Sequence, residues 1–296
     1  MTTVTTSEHR VTTALSGKPL AAQIRRRVRE EAADLGAAGT QPRLVVVTAT
    51  DDESTMWYVR SIAKAAAAVG IDCGIADLGP STSREIVRDT LRALSRDPEV
   101  HGVILQTPLP DGMSSAELAA EIDPAKDVDG ANPASLGRCA AGLPGFAPAT
   151  AEAVVRLLDH HGTELAGRDI AMVGRSVVVG TPAALLLLER HATVTVCHSR
   201  TARLEGHTSA ADIVIVAAGV PGLIGADHLR PGAVVIDVGT NATDAGLVGD
   251  VDADAVDGLA GALTPVPGGV GPVTTALLLA HTVRAASRAA VDALEA

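Results

Sequence analysis

The stretch "DIAMVGRSVVVGTPAALLLL", Asp169 to Leu188, decides the fold. A short apolar run ends in a glycine turn, and a second glycine, Gly180, opens an apolar segment with Pro182 in its first turn, where the fixed φ of proline suits a helix start. Strand, glycine turn and helix form the unit from which parallel sheets are wound. The start of such a helix presents backbone N–H groups at the positive end of the helix dipole, which is how a pyrophosphate is held. The spacing from Gly174 to Gly180 departs from G-x-G-x-x-G. Taken alone, the loop therefore reads either as a nucleotide site built from Gly174, Arg175, Ser176 and Gly180 or as a plain tight turn.

The strand that follows favours the nucleotide. An NAD site usually ends its second strand with an Asp or Glu for the ribose 2′-hydroxyl. Here "TVTVCHSRT" offers Ser199 and Arg200 instead, and Arg175 stands in the glycine loop. Two cations and a hydroxyl suit a 2′-phosphate, so the cofactor expected is NADP. The competing reading makes both arginines solvated surface residues.

Working outward, the same alternation fills the chain. "KPLAAQIRRRVREEAADLGAAG" carries Leu20, Ile24, Val28 and Leu35 at helical spacing and ends in glycine. "RLVVVTA", "DCGIADL" and "GVILQTPLP" read as strands, separated by helices at "WYVRSIAKAAAAVG" and "REIVRDTLRALSRD". This βαβα order predicts mainly parallel sheets with crossover helices. The Gly- and Pro-rich segment from Pro124 to Pro148 reads as a loop and places a domain boundary near Thr150.

Composition excludes several classes. The 296 residues suffice for two modest domains, and 47% hydrophobic with 20% charged residues marks a globular chain. One Phe, one Trp and one Tyr leave Val, Leu, Ile and Ala to build the core. A net charge of −11 opposes nucleic acid binding. Cys73, Cys139 and Cys197 lack the spacing of a metal site or disulfide framework and suit reduced thiols. The polar start "MTTVTTSEHR" lacks the pattern of a leader, and no run of about 18 apolar residues offers a membrane span. A cytoplasmic protein without metal or membrane partner is expected.

Polar groups gather where first-half strands end, the place where open α/β sheets put ligands. They are Gln106 after "GVIL", Asp127 and Asp129 in "KDVDG", and Tyr58 in the helix after "RLVVVTA". Each also has a bland reading: a capping Gln, a turn-forming Asp-Gly, a core Tyr.

Taken together and in order, "GVILQTPLP", "KDVDG", "GRSVVVGTP", "VTVCHSRT", "VIDVGTN", "VGDV" and "TPVPGGVGPVTTALLL" resemble the bifunctional methylenetetrahydrofolate dehydrogenase/cyclohydrolase family over nearly the whole chain. The resemblance implies two α/β domains flanking a cleft. Residues 1–149 and 275–296 would form the folate-binding catalytic domain, and residues 150–274 the Rossmann-type NADP-binding domain. It further implies a homodimer that oxidises methylenetetrahydrofolate with NADP and hydrolyses the methenyl product in the same cleft. By the same resemblance Asp129 hydrogen-bonds the pterin-like ring, Tyr58 stacks on the p-aminobenzoyl ring, and Gln106 tunes a catalytic lysine. Pro267, Gly268 and Gly269 line the folate cleft beside the nicotinamide, and Thr240 joins Ser199, Arg200 and the glycine loop at the cofactor.

One residue departs from that pattern. The family carries Tyr-x-x-x-Lys in this helix, and gap-free counting puts the lysine position at Ile62. Aligning Trp57 with the tyrosine instead puts Ser61 there, and the lysine is still missing. Lys64 lies about 240° and Arg60 about 200° around the helix from Tyr58. A proton-transfer group contributes ~10²- to 10⁴-fold, and the lysine is tied most closely to water attack. Ala131 and the stretch "PATA" at 148–151 also differ from the family's usual residues. Three readings follow: a dehydrogenase with weak or lost cyclohydrolase activity, a specialised enzyme passing the folate's carbon to another acceptor, and a catalytically silent folate-binding subunit.

Overall fold

The computed structural model describes residues 11–243 and 246–295; the polar N-terminal decapeptide expected to carry no leader lies outside the described residues. Two parallel sheets, each wrapped by helices, make up the α/β architecture. The first half opens with β1 (Thr13–Ala14) and α1 (Lys18–Ala37). It continues through β2 (Arg43–Thr48), α2 (Glu53–Ala67), β3 (Asp72–Asp77), α3 (Arg84–Arg96) and β4 (Gly102–Leu105), followed by α4 (Ser115–Ala119) and α5 (Pro133–Ala140). Strands β3, β2 and β4 lie side by side in that order, all parallel.

The second half runs through α6 (Ala149–His160), β5 (Asp169–Val173), α7 (Gly180–Glu189), β6 (Thr193–Cys197), α8 (Leu204–Thr208), β7 (Ile213–Val216) and β8 (Val234–Asp237). A hairpin of β9 (Asn241–Thr243) and β10 (Gly246–Val248) follows, then α9 (Ala253–Val256), β11 (Ala262–Leu263) and α10 (Val270–Glu295). Its sheet has the order β1-β11-β8-β7-β5-β6, with every pairing parallel.

Three details differ from the sequence reading. Residues 13–14, assigned with the first domain, pair with β11 in the second sheet, where the Thr13 and Leu15 amides donate to Gly261 and Leu263 carbonyls. The last helix begins at Val270, ahead of the expected boundary at 275. A helix, α5, stands in the segment read as loop. Asn132 caps it by accepting from the Ala134 amide at 2.7 Å, and Pro133 occupies its first turn. Cap and proline outweigh the Gly/Pro composition there.

Burial shows why the halves form one body. Val46 and Leu44 of β2, Ile170 and Met172 of β5, Leu157 and Leu158 of α6, and Leu277 to Leu279 of α10 belong to one continuous apolar core. Helix α10 packs on α1 and α6 and also reaches α2, β2 and β4.

In both sheets the chain steps to one side of a strand and then returns to the other. β2 is followed by β3 and then β4 on the opposite flank, and β5 by β6 and then β7. Such reversal points open a crevice at the carboxyl ends of the strands. Gln106 follows β4 and Gly174 follows β5, so each half places its candidate residues at its own switch point.

Candidate functional site

In the second half, backbone proximity decides the residue type. A Cβ on Gly174, whose φ is +125°, would lie 2.2 Å from the Ala217 carbonyl oxygen at the end of β7. A Cβ on Gly180 would lie 2.2 Å from the carbonyl oxygen of Gly174 itself. The turn is therefore folded so closely between β5, β7 and α7 that only glycine fits at both positions. The start of α7 is partly satisfied from within: the Ser176 hydroxyl accepts from the Val179 amide at 3.1 Å, and its carbonyl from Thr181 at 3.0 Å. That holds Arg175, Ser176, Val177 and Val178 out as an exposed loop.

The next strand end lies alongside. Gly174 donates its amide to the Cys197 carbonyl at 2.9 Å, and the turn after β6 is closed by Thr201, whose hydroxyl accepts from the His198 amide. Ser199 and Arg200 are exposed on that turn, beside the loop carrying Arg175. No carboxylate stands at the end of β6, and the cradle of two obligatory glycines flanked by two guanidiniums and a serine fits NADP.

Thr240 follows a segment held by two buried carboxylates to which the sequence reading assigned no role. Asp237 accepts from the amides of Gly239, Asp250 and Val251 at 2.9 to 3.0 Å. Asp250 accepts from Ala218 and Gly219 at 2.7 and 2.8 Å and from the Asn241 side chain at 2.8 Å. Burial pushes the Asp237 carboxyl up to about 6 despite those donors, and the nearby Asp250 adds to the rise. An aspartate ending an apolar strand and followed by glycines was the available signal.

In the first half, Asp52 starts α2 by accepting from the Thr55 amide at 2.7 Å. The helix then presents Val59, Ile62 and Ala66 to the core and leaves Tyr58 half-buried. The segment 126–129 runs beside β4, with the Val103 amide donating to Lys126 and Val103 opposite Asp127. The chain turns directly after that bridge, with the Gly130 amide donating to the Asp127 carbonyl at 3.1 Å, and Asp129 sits on the turn. Asp127 faces inward as a hub, accepting from Ala131, Asn132 and the Ser135 hydroxyl at 2.9, 2.8 and 2.6 Å.

The structure brings Tyr58, Asp129 and Thr275 together. Burial and then the charge of Asp129 push the Tyr58 phenol up to about 12, while the Thr275 side chain acts in the opposite direction. Burial and then the charge of Asp127 push the Asp129 carboxyl up to about 7. Thr275 lies in the first turns of α10, immediately after Pro267, Gly268 and Gly269. Sequence reasoning missed Thr275 because its register against Tyr58 is purely tertiary. It also missed Lys18, whose Cε lies 3.2 Å from where a Gly268 Cβ would stand.

The other residues of α2 fall on different faces of the helix. Trp57 is 72% exposed, and the Ser61 hydroxyl donates to the Tyr58 carbonyl at 2.7 Å. Tyr58, not Trp57, faces Asp129. Ile62 is wholly buried, whereas Arg60 and Lys64 are exposed. The Gln106 side chain is turned back to donate to the Thr107 carbonyl at 2.8 Å, a strand-end contact that needs no lysine. Among the described residues no group of three or more His, Cys, Asp or Glu is arranged to hold a metal, and no helix is long and apolar enough to cross a membrane.

Comparison with known proteins agrees with this geometry. The family description "Tetrahydrofolate dehydrogenase/cyclohydrolase, catalytic domain" matches residues 15–129, and "Tetrahydrofolate dehydrogenase/cyclohydrolase, NAD(P)-binding domain" matches residues 148–290. The chain is 63% identical over 277 residues to "Bifunctional protein FolD 1" of Rhodococcus jostii, covering 93% of each chain. It superposes on the bifunctional FolD of Campylobacter jejuni with a TM-score of 0.90 at 38% identity, covering 94% of this chain and 99% of that one. For the Trypanosoma brucei methylenetetrahydrofolate dehydrogenase-cyclohydrolase, solved with NADP cofactor and an inhibitor, the TM-score is 0.89 at 34% identity, with 95% and 99% covered.

The glycine cradle yields a direct test. Gly180→Ala forces a methyl group into a backbone carbonyl and is expected to weaken NADP binding at least tenfold, read by calorimetric titration alongside a thermal melt. Unchanged affinity in a folded variant would show that this turn does not hold the cofactor.

Proposed function

Because this chain belongs to the tetrahydrofolate dehydrogenase/cyclohydrolase family and is an NADP-dependent methylenetetrahydrofolate dehydrogenase, we propose that its second activity, hydrolysis of the methenyl product to 10-formyltetrahydrofolate, is weak or lost. The observation that carries this reading is Ile62, a wholly buried hydrocarbon one helical turn from Tyr58. A positioned group that moves a proton typically contributes ~10²- to 10⁴-fold, and an isoleucine has none to move.

Hydride transfer makes different demands. NADP, when bound, supplies the hydride acceptor, and the chain's task is to hold two molecules in a near-attack geometry. The Asp129 carboxylate accepts hydrogen bonds from donors on the pterin-like ring. Tyr58 stays a neutral phenol and offers its ring face to the p-aminobenzoyl group. Pro267, Gly268 and Gly269 form the walls beside the nicotinamide, while Arg175, Ser199 and Arg200 would meet the 2′-phosphate and Thr240 completes the cofactor side. The NADP-compatible cradle argues against a silent folate-binding subunit. The same reading carries a homodimer in a cytoplasmic setting.

Purified protein mixed with methylenetetrahydrofolate and NADP, in a buffer where spontaneous hydrolysis is slow, is expected to form NADPH while methenyltetrahydrofolate accumulates. NADPH accompanied by prompt loss of the methenyl absorbance would overturn the proposal; absence of NADPH despite folate binding would favour transfer of the carbon to another acceptor. Ile62→Lys is expected to raise hydrolysis by ~10²-fold or more with little change in NADPH formation, given that a lysine stem can reach out from a buried root. Unchanged rates in a folded variant would mean that position 62 does not address the reacting carbon.

A pH profile tests Asp129. Its carboxyl is raised from the usual 3.8 to about 7, so the accepting carboxylate gives way to the protonated acid as pH falls through that value. KM for methylenetetrahydrofolate is expected to rise as pH falls from 8 to 6, with KM for NADP unmoved. Asp129→Asn should raise the folate KM and flatten the profile.

A further inference from the structure

His281, on α10, is buried and lies between two groups that only accept. Its Nδ1 is 2.7 Å from the Val128 carbonyl, and its Nε2 is 3.0 Å from a Glu152 carboxylate oxygen on α6. A carbonyl oxygen must receive the Nδ1 proton, and an ionised carboxylate must receive one from Nε2, so the ring donates at both ends. Burial pushes the Glu152 carboxyl up, but the hydrogen bond and charge of His281, with Arg156 2.8 Å away, overcome this and bring it to about 2. The Phe146 ring packs on the imidazole with centroids 5.0 Å apart, and the Arg284 guanidinium lies over the same Phe146 ring, 4.5 Å from its centroid.

A buried ion pair is weak evidence for stability, since well-packed apolar residues often do as well; its better-attested use is to specify one arrangement. The arrangement specified here is that of Asp129. The peptide before it is fixed through the Val128 carbonyl by His281. The peptide after it is fixed through its own carbonyl, which accepts from the Ala149 amide at 3.2 Å in the first turn of α6, three residues before Glu152. Two helices therefore grip both peptides that set the direction of the Asp129 side chain, and Glu152 with His281 ties those helices to each other.

We propose that Glu152 and His281 are positioning residues for folate-ring recognition, acting through the Val128 carbonyl to aim the Asp129 carboxylate into the cleft. This rests on the reading of Asp129 as the group that accepts from the ring. His281 shares α10 with Thr275, the neighbour of Tyr58, whereas the glycine turn at Gly174 lies on other elements.

The test is a double-mutant cycle on the full-length enzyme with Glu152→Gln, which keeps the shape and removes the charge, and Asp129→Asn. Glu152→Gln is expected to raise KM for methylenetetrahydrofolate five- to tenfold, with kcat and KM for NADP within twofold. Added to Asp129→Asn, it should change the folate KM no further. If Asp129→Asn leaves the folate KM unchanged, the reading of Asp129 fails and this inference falls with it. If Asp129→Asn raises it and Glu152→Gln does not, or Glu152→Gln raises both KM values alike, the inference alone fails. Should Glu152→Gln not fold, Glu152→Asp, which keeps the charge but withdraws it, carries the same comparison with a smaller expected rise.

Discussion

The packing of one helix against everything else is the constraint on which this structure depends. Helix α10 starts directly after the Pro267–Gly269 turn and then buries Leu277, Leu278, Leu279 and Val283 against α1, α6 and the first sheet. Each fully buried aliphatic side chain of this kind contributes about 1.5–3 kcal/mol before entropy is counted. The same helix offers Thr275 to Tyr58 at its start and His281 to the substrate loop two turns on. A rigid rod packed along its length can hold two contacts of the cleft in fixed relation, which separate loops could not.

The fold was legible because its signals are local. Strand "DIAMV", the glycine turn and the helix from Gly180 announce their order from apolar runs and punctuation alone, and the parallel pairing follows from the crossover helices. The turns carrying Arg175, Ser199 and Arg200 could be placed for the same reason, since each follows its strand directly. The short pieces were less legible. β1 pairs over a separation of nearly the whole chain, and two residues carry no periodicity; α5 was hidden by glycine and proline although Asn132 and Pro133 marked its start.

The folate side divides along the same line. Tyr58, Gln106 and Asp129 stood out as polar residues at strand ends, but the identity of their neighbours did not. Thr275, Glu152 and His281 lie on helices whose sequences read as ordinary amphipathic surfaces, and only tertiary register turns them toward the site. Asp127 and Asp129, two residues apart in one motif, look equivalent in sequence; the turn between them makes one a hub for backbone amides and sets the other beside Tyr58. Ile62, found by counting from Tyr58, is buried completely in the core.

The short strand at the beginning of the chain has a topological consequence. Because β1 covers the free edge of β11, the polypeptide passes between the two sheets three times: after β1, before α6, and after β11. Any relative motion of the two sheets must then bend three covalent connections at once. A gene fragment encoding only the second half would lack the first of these crossings. It would leave the outer edge of β11 with unpaired amides and carbonyls, and an uncovered edge is a template for pairing with another chain.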